Sequence, residues 1–221
     1  MRNYILTFLL TLLLIIDPSH FTSSSEITNE GLTYEEYVKF DRQIKIIMIK
    51  YKIEKETELF NLNLNTINTP KFAKNFILDL SCDALDSKSL PSISIAQASL
   101  ETGYGRYLKL ENNIFGIKGK GIKSKTKEFV NGRYITIYSE FQHFKTRKLA
   151  FERHFEIIKR YGVKGDNYID WISVIVLNGY ATDPLYDKKL KFIINRYQLD
   201  RLDRIQKLNL ELKKYDRISQ V

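Results

Sequence analysis

PSISIAQASLETGYGRYLKLENNIFGIK, residues Pro91–Lys118, places one glutamate at the end of an apolar helical stretch. Pro91 has a fixed φ suited to a first helical position, which leaves Ser89 or Leu90 just outside the helix. Ile93, Ala96, Gln97, Leu100 and Tyr104 recur at helical spacing, so the spacing predicts one inward-packing stripe with Glu101 on its flank. Gly103 and Gly105 end the helix, because glycine tolerates the left-handed conformation that helix ends require. Glu101 then sits in a last helical turn, where exposed carbonyls and an apolar surround disfavour its charged form. Its pKa should rise, which suits a general acid near neutral pH. The competing reading is a partly exposed glutamate on an amphipathic helix.

The string AQASLETGYG, followed by NNIFGIKG, resembles the signature of the glucosaminidase domain of bacterial peptidoglycan hydrolases, glycoside hydrolase family 73. The resemblance implies that Glu101 is the essential acid. One departure is a shorter spacer between Gly105 and Asn112, which implies a trimmed loop beside the site. The resemblance runs from about Lys71 to about Leu202.

The hairpin signal lies downstream, in TKEFVNGRYITIY from Thr126 to Tyr138. Asn131 and Gly132 separate two alternating runs, and a type I′ turn needs positive φ at both. A two-residue loop sets Val130 opposite Arg133, Phe129 opposite Tyr134 and Glu128 opposite Ile135. On residues alone, Glu128 reads equally as a surface glutamate paired with Arg133. The resemblance implies that it is the second catalytic carboxylate, since glycosidic cleavage uses one group to protonate the leaving oxygen and another to activate water or stabilise the sugar cation. Between the two motifs, Lys118, Lys120, Lys123, Lys125 and Lys127 surround Gly119 and Gly121. That segment reads as a solvated loop, with contact to anionic wall polymer as the alternative. It carries neither a Walker nor a dinucleotide spacing.

In GYATDPLY, Gly179–Tyr186, the resemblance gives Tyr180 a place in the catalytic groove. Asp183 before Pro184 reads first as a helix cap and second as a substrate contact. Asn112 and Asn113 are candidates for sugar hydroxyls, or turn residues. Tyr104 and Phe115 are candidates for stacking on sugar faces, or core. His143 and His154 show no metal-ligand spacing, so neither a metal nor a cofactor is expected. Cys82, the only cysteine, follows Phe76, Ile77 and Leu80 and reads as a small buried side chain; no internal disulfide is available.

The amino terminus carries Arg2 and then an apolar run from Tyr4 to Ile16 that Asp17 and Pro18 end. A basic start, a short apolar run and small residues at Ser23 and Ser25 describe a signal peptide over residues 1–25. A retained anchor would need about 20 apolar residues. Losing Arg2 and Asp17 together leaves the net charge at +9. An exported basic chain meets anionic wall polymers rather than nucleic acid, and no stable membrane insertion is expected.

Thr33 and Glu36 form a capping box ahead of Tyr37, Phe40, Ile44, Ile47 and Tyr51, which predicts an early helix. Lys52–Thr69 reads as an asparagine-rich connector. The expected division is a leader over 1–25, a helix and linker over 26–69, a glucosaminidase domain over 70–202 and a charged tail over 203–221 that reads as a solvated helix. The fold class expected is mainly α (α+β): a lysozyme-like helical domain with a small β-hairpin lobe and a groove between them. The activity implied is cleavage of the β-1,4 bond after N-acetylglucosamine in peptidoglycan glycan strands. Muramidase or lytic transglycosylase action, or a wall-binding role without catalysis, are the alternatives.

Overall fold

The computed structural model describes residues 33–130 and 132–218, the side chains at 127–130, 134 and 216–218 excepted. The leader expected over residues 1–25 lies outside the described residues, as does Asn131. The chain divides into two compact units at Met48 and Ile49.

In the first unit the capping box forms. The Glu36 carboxylate accepts from the Thr33 N–H at 2.9 Å, and the Thr33 hydroxyl accepts from the Glu36 N–H at 3.3 Å. Helix α1 follows, Tyr34–Thr66, and from Ile49 onward it belongs to the second unit. The connector expected over Lys52–Thr69 is therefore helical as far as Thr66. Phe60 and Leu64, four residues apart on one face, are buried in the core, while Asn61 and Asn65 stay exposed. Burial of that face outweighs the weak helix preference of asparagine.

Helix α2, Lys71–Asp86, buries Ala73, Ile77, Leu80, Ser81 and Ala84. Cys82 falls off that face and is exposed, contrary to the buried position expected for it. Helix α3, Pro91–Thr102, has Pro91 in its first position and ends at Gly103, whose φ of +57° lets its N–H return to the Ser99 carbonyl. Every residue from Pro91 to Ser99 is buried. The single inward stripe expected is thus a helix sheathed on all sides, by α2 and by α5 (Tyr168–Leu177), α6 (Tyr186–Tyr197) and α7 (Asp200–Ile218). Ser92, Ser94, Ala96, Ala98 and Ser99 are small enough to let neighbours close in from several directions.

Strands β1, Gly121–Val130, and β2, Arg133–Gln142, form the antiparallel hairpin, with Val130↔Arg133, Phe129↔Tyr134 and Glu128↔Ile135 paired as the turn signal requires. Gly132 takes a φ of +81°. The ladder is longer than expected and continues to Gly121↔Gln142. Beyond it, the Gly119 N–H donates to the Glu140 carbonyl at 3.0 Å and the Gln142 N–H to the Ile117 carbonyl at 2.9 Å. Most of the expected lysine loop is therefore strand. Phe141 is buried on β2, and helix α4, Arg147–Lys159, starts after Thr146, whose hydroxyl accepts from the Leu149 N–H. In α5, Trp171, Ile172 and Ile175 are buried, whereas Leu177 at the helix end is 85% exposed.

The tail expected to be solvated is helical, but its first turns are packed. Leu202 and Ile205 are buried, and Gln206 Nε2 donates to the Ser87 carbonyl at 2.9 Å. Asp203 caps α3 from outside that helix, accepting from the Ser92 N–H at 2.8 Å and the Ser92 hydroxyl at 2.5 Å. Leu90, at the N-cap position, supplies no side-chain cap of its own. Burial pushes the Asp203 carboxyl up to about 7, against the opposing effect of the Ser92 bonds. Replacing a helix-capping carboxylate by alanine typically costs about 1–2 kcal/mol. Asp203→Ala should lower the thermal midpoint by roughly 2–4 °C for each kcal/mol; an unchanged midpoint in a melt followed by circular dichroism would rule out a stabilising cap.

Candidate active site

Glu101 is placed by the end of α3. The helix is buried up to Ser99, and Gly103 turns the chain away, so the last turn delivers one carboxylate into a groove of about 610 Å³. The groove is lined by the α3 end, by Lys109 and Lys118 from the following loop, by Thr126 and Phe141 of the hairpin and by Tyr180–Asp183. Gly116 comes close to the acid, and a Cβ built there would stand 3.9 Å from Glu101 Oε2. Water reaches the Glu101 side chain through the groove mouth, but protein surrounds its carboxyl on the other sides. That desolvation pushes its pKa up to about 7, and the nearby Lys118 ammonium opposes the rise. The carboxyl is thus half-protonated near neutral pH.

Tyr180 reaches the same groove from the loop after α5. Its backbone N–H donates to the Ile175 carbonyl at 2.9 Å, and its ring lies against Tyr161 and Tyr186 at centroid distances of 5.4 and 5.8 Å. Burial, reinforced by the charge of Glu101, holds its hydroxyl above the usual phenol range. It is a neutral donor at any working pH.

The other sequence candidates separate by location. Glu128 lies on β1 in the predicted register, and strand alternation puts position 128 on the same face as Thr126; its side chain lies outside the described residues. Asp183 lines the groove, but Tyr186, not Pro184, opens α6, so the expected cap becomes a turn in which Asp183 Oδ1 accepts from the Leu185 N–H at 2.9 Å. A hydrogen bond from Lys189 holds the Asp183 carboxyl below its usual range. Asn113 lies in the groove floor with its polar atoms committed, donating to the Ile117 and Gln142 carbonyls and accepting from the Ile117 N–H at 2.8–2.9 Å. Asn112 donates to the Phe144 carbonyl at 3.0 Å and is not part of the groove lining. Phe115 is buried and stacks on His154, centroids 3.8 Å apart, so its ring offers no face to a sugar. Tyr104 also lies elsewhere, edge-on to Phe72 and Tyr197 and lining a separate apolar pocket with Leu185 and Phe192.

Phe141 lines the groove from outside every quoted motif, and Lys118, Thr126 and Tyr186 lie within motifs but were given no site role. A signal available for what lies behind the groove is Gln97, an amide on the inward stripe one turn before Glu101; a buried amide requires partners. Among the described residues no group of His, Cys, Asp and Glu could hold a metal ion, and no helix is long and apolar enough to cross a membrane.

Residues 84–199 match the family described as Glucosaminidase, mannosyl-glycoprotein endo-beta-N-acetylglucosaminidase. The chain belongs to this glucosaminidase family. The exo-glucosaminidase LytG of Bacillus subtilis is 34% identical over 143 residues, covering 58% of this chain and 50% of that protein. The chain thus spans about half the length of that curated relative. Among solved structures, the catalytic domain of the autolysin Auto from Listeria monocytogenes superposes with a TM-score of 0.50 at 29% identity, covering 62% of this chain and 90% of that one. An N-acetylmuramoyl-L-alanine amidase structure from Staphylococcus aureus gives a TM-score of 0.53 at 30% identity, over 62% of this chain and 47% of that one.

A carboxyl whose folded pKa of about 7 exceeds its ordinary 4.5 binds its proton more tightly in the folded glucosaminidase domain. Its ionisation therefore opposes folding above about pH 7, and that cost disappears as pH falls below 4.5. Glu101→Gln should melt at a higher temperature than wild type at pH 8, with a smaller gap at pH 5. A gap that widened toward low pH would contradict the raised pKa.

Proposed function

We propose that the chain is an exported peptidoglycan hydrolase that cleaves the β-1,4 bond following N-acetylglucosamine, with Glu101 as the general acid. The observation that carries this reading is a single carboxyl at the end of a buried helix, facing a groove, with its pKa raised to about 7. A group of that kind is protonated often enough at neutral pH to donate to a leaving glycosidic oxygen, and afterwards is a base. Glu128, on the ribbon face that bears Thr126, is the proposed second carboxylate, and Tyr180 the neutral hydroxyl that orients water or the substrate acetamido group. Membership of the glucosaminidase family supports the choice of bond. The net charge of +9 would hold the enzyme on an anionic wall by electrostatics that salt weakens.

The deciding assay is fragment release from purified peptidoglycan, with mass spectrometry of the products. Reducing N-acetylglucosamine ends from wild type, and none from Glu101→Gln, are expected. Reducing muramic ends would move the cleavage to the other bond, and anhydro-muramic ends with Glu128→Gln still active would identify a lone-acid transglycosylase. No release by the wild-type chain would leave a binding role.

The pH dependence follows from the same carboxyl. Because the acid must be protonated, kcat/KM should fall tenfold per pH unit well above about pH 7. A profile flat from pH 6 to 9 would exclude Glu101 as the acid.

A further inference from the structure

Behind Tyr180 runs a line of buried polar side chains from three helices. His154 of α4 is buried, and its Nε2 lies 2.7 Å from Gln97 Oε1 on α3. Gln97 Nε2 donates to the Tyr186 hydroxyl of α6 at 2.8 Å. The Tyr180 and Tyr186 rings pack with centroids 5.8 Å apart, and both Tyr186 and Gln97 act on the Tyr180 hydroxyl. His154 Nδ1 has no hydrogen-bond partner among the described residues.

The amide gives the line a direction. Gln97 Oε1 faces His154 while its Nε2 faces Tyr186, and an amide oxygen can only accept, so the His154 proton sits on Nε2. Burial drives the His154 pKa down to about 3, which keeps the ring neutral. His154 thus donates to Gln97, and Gln97 donates onward to Tyr186. The Tyr186 oxygen then accepts from Gln97, and its own proton goes to the Tyr180 oxygen. Only the Tyr180 proton is left uncommitted, at the groove wall beside Glu101.

We propose that His154, Gln97 and Tyr186 are positioning residues that polarise the Tyr180 hydroxyl outward, so that it serves the reaction as a donor into the groove. The inference rests on the glycosidase reading above and adds three residues to it. An outward donor stabilises oxygen that gains negative charge, such as a polarised acetamido carbonyl or the Glu101 carboxylate after it has given up its proton. The reverse polarity would turn Tyr180 into an acceptor there. No residue in the line needs to change protonation state.

The test is a double-mutant cycle on peptidoglycan turnover. Tyr186→Phe removes one oxygen and should lower kcat roughly tenfold with KM changed less than about twofold, as expected for lost orientation. In a Tyr180→Phe background, the same substitution should cost nothing more, because the group it orients is gone. Gln97→Met should reproduce both results. An equal loss in the two backgrounds, or a wild-type kcat for Tyr186→Phe, would overturn the proposal. The polarity is read separately by nitrogen-15 NMR of the imidazoles, with His154→Gln assigning the signal: an Nε2–H tautomer at neutral pH supports it and an Nδ1–H tautomer overturns it. If wild type releases no fragments, the glycosidase reading fails, while the NMR result still decides the direction of the line.

Discussion

The burial of α3 is the constraint on which the rest of the structure depends. A helix with no exposed face from Pro91 to Ser99 must be sheathed on every side, and that sheath is α2, α5, α6 and α7. Small residues make the close approach possible. A buried helix start needs its N–H groups satisfied, and a distant aspartate from α7 supplies acceptors where Leu90 cannot. A buried helix end must deliver its last turn somewhere, and here it opens on the groove.

The same burial sets the electrostatics. Protein around Glu101 disfavours its ionised form, and Lys118 limits the rise, which leaves the carboxyl near neutrality rather than far above it. At the groove wall and behind it, the phenols of Tyr180 and Tyr186 and the imidazole of His154 are all held neutral by burial. An acid that gains and loses a proton is thus set against neighbours that do not. The contribution proposed for them is orientation, which costs little reorganisation during a reaction.

Much of this architecture was legible in the chain. Pro91 and Gly103 mark the ends of α3 through backbone restriction and backbone freedom, which are local properties. The turn signal around Gly132 implied the whole hairpin register, because strand alternation propagates from one pairing. The readings that failed concerned which face is covered. The asparagine-rich segment before Thr66 looked like a linker, yet Phe60 and Leu64 anchor it as helix; Cys82 looked buried, yet it lies off the packed face of α2; for Phe115, read as either a sugar-stacking ring or core, packing on His154 decides for core.

The sequence by itself determined where elements start and stop, how the two strands pair and which glutamate ends an apolar helix, since these depend on residues within a few positions of one another. Only the tertiary structure decided which residues share the groove with Glu101, that Asp203 caps the helix bearing it, and that His154, Gln97 and Tyr186 line up behind Tyr180. The pairs Asp203–Ser92, Tyr186–Gln97 and His154–Gln97 are separated by 57 to 111 positions along the chain. Their meeting is set by how α4, α6 and α7 come against α3, and side-chain periodicity within any one of them carries no record of it.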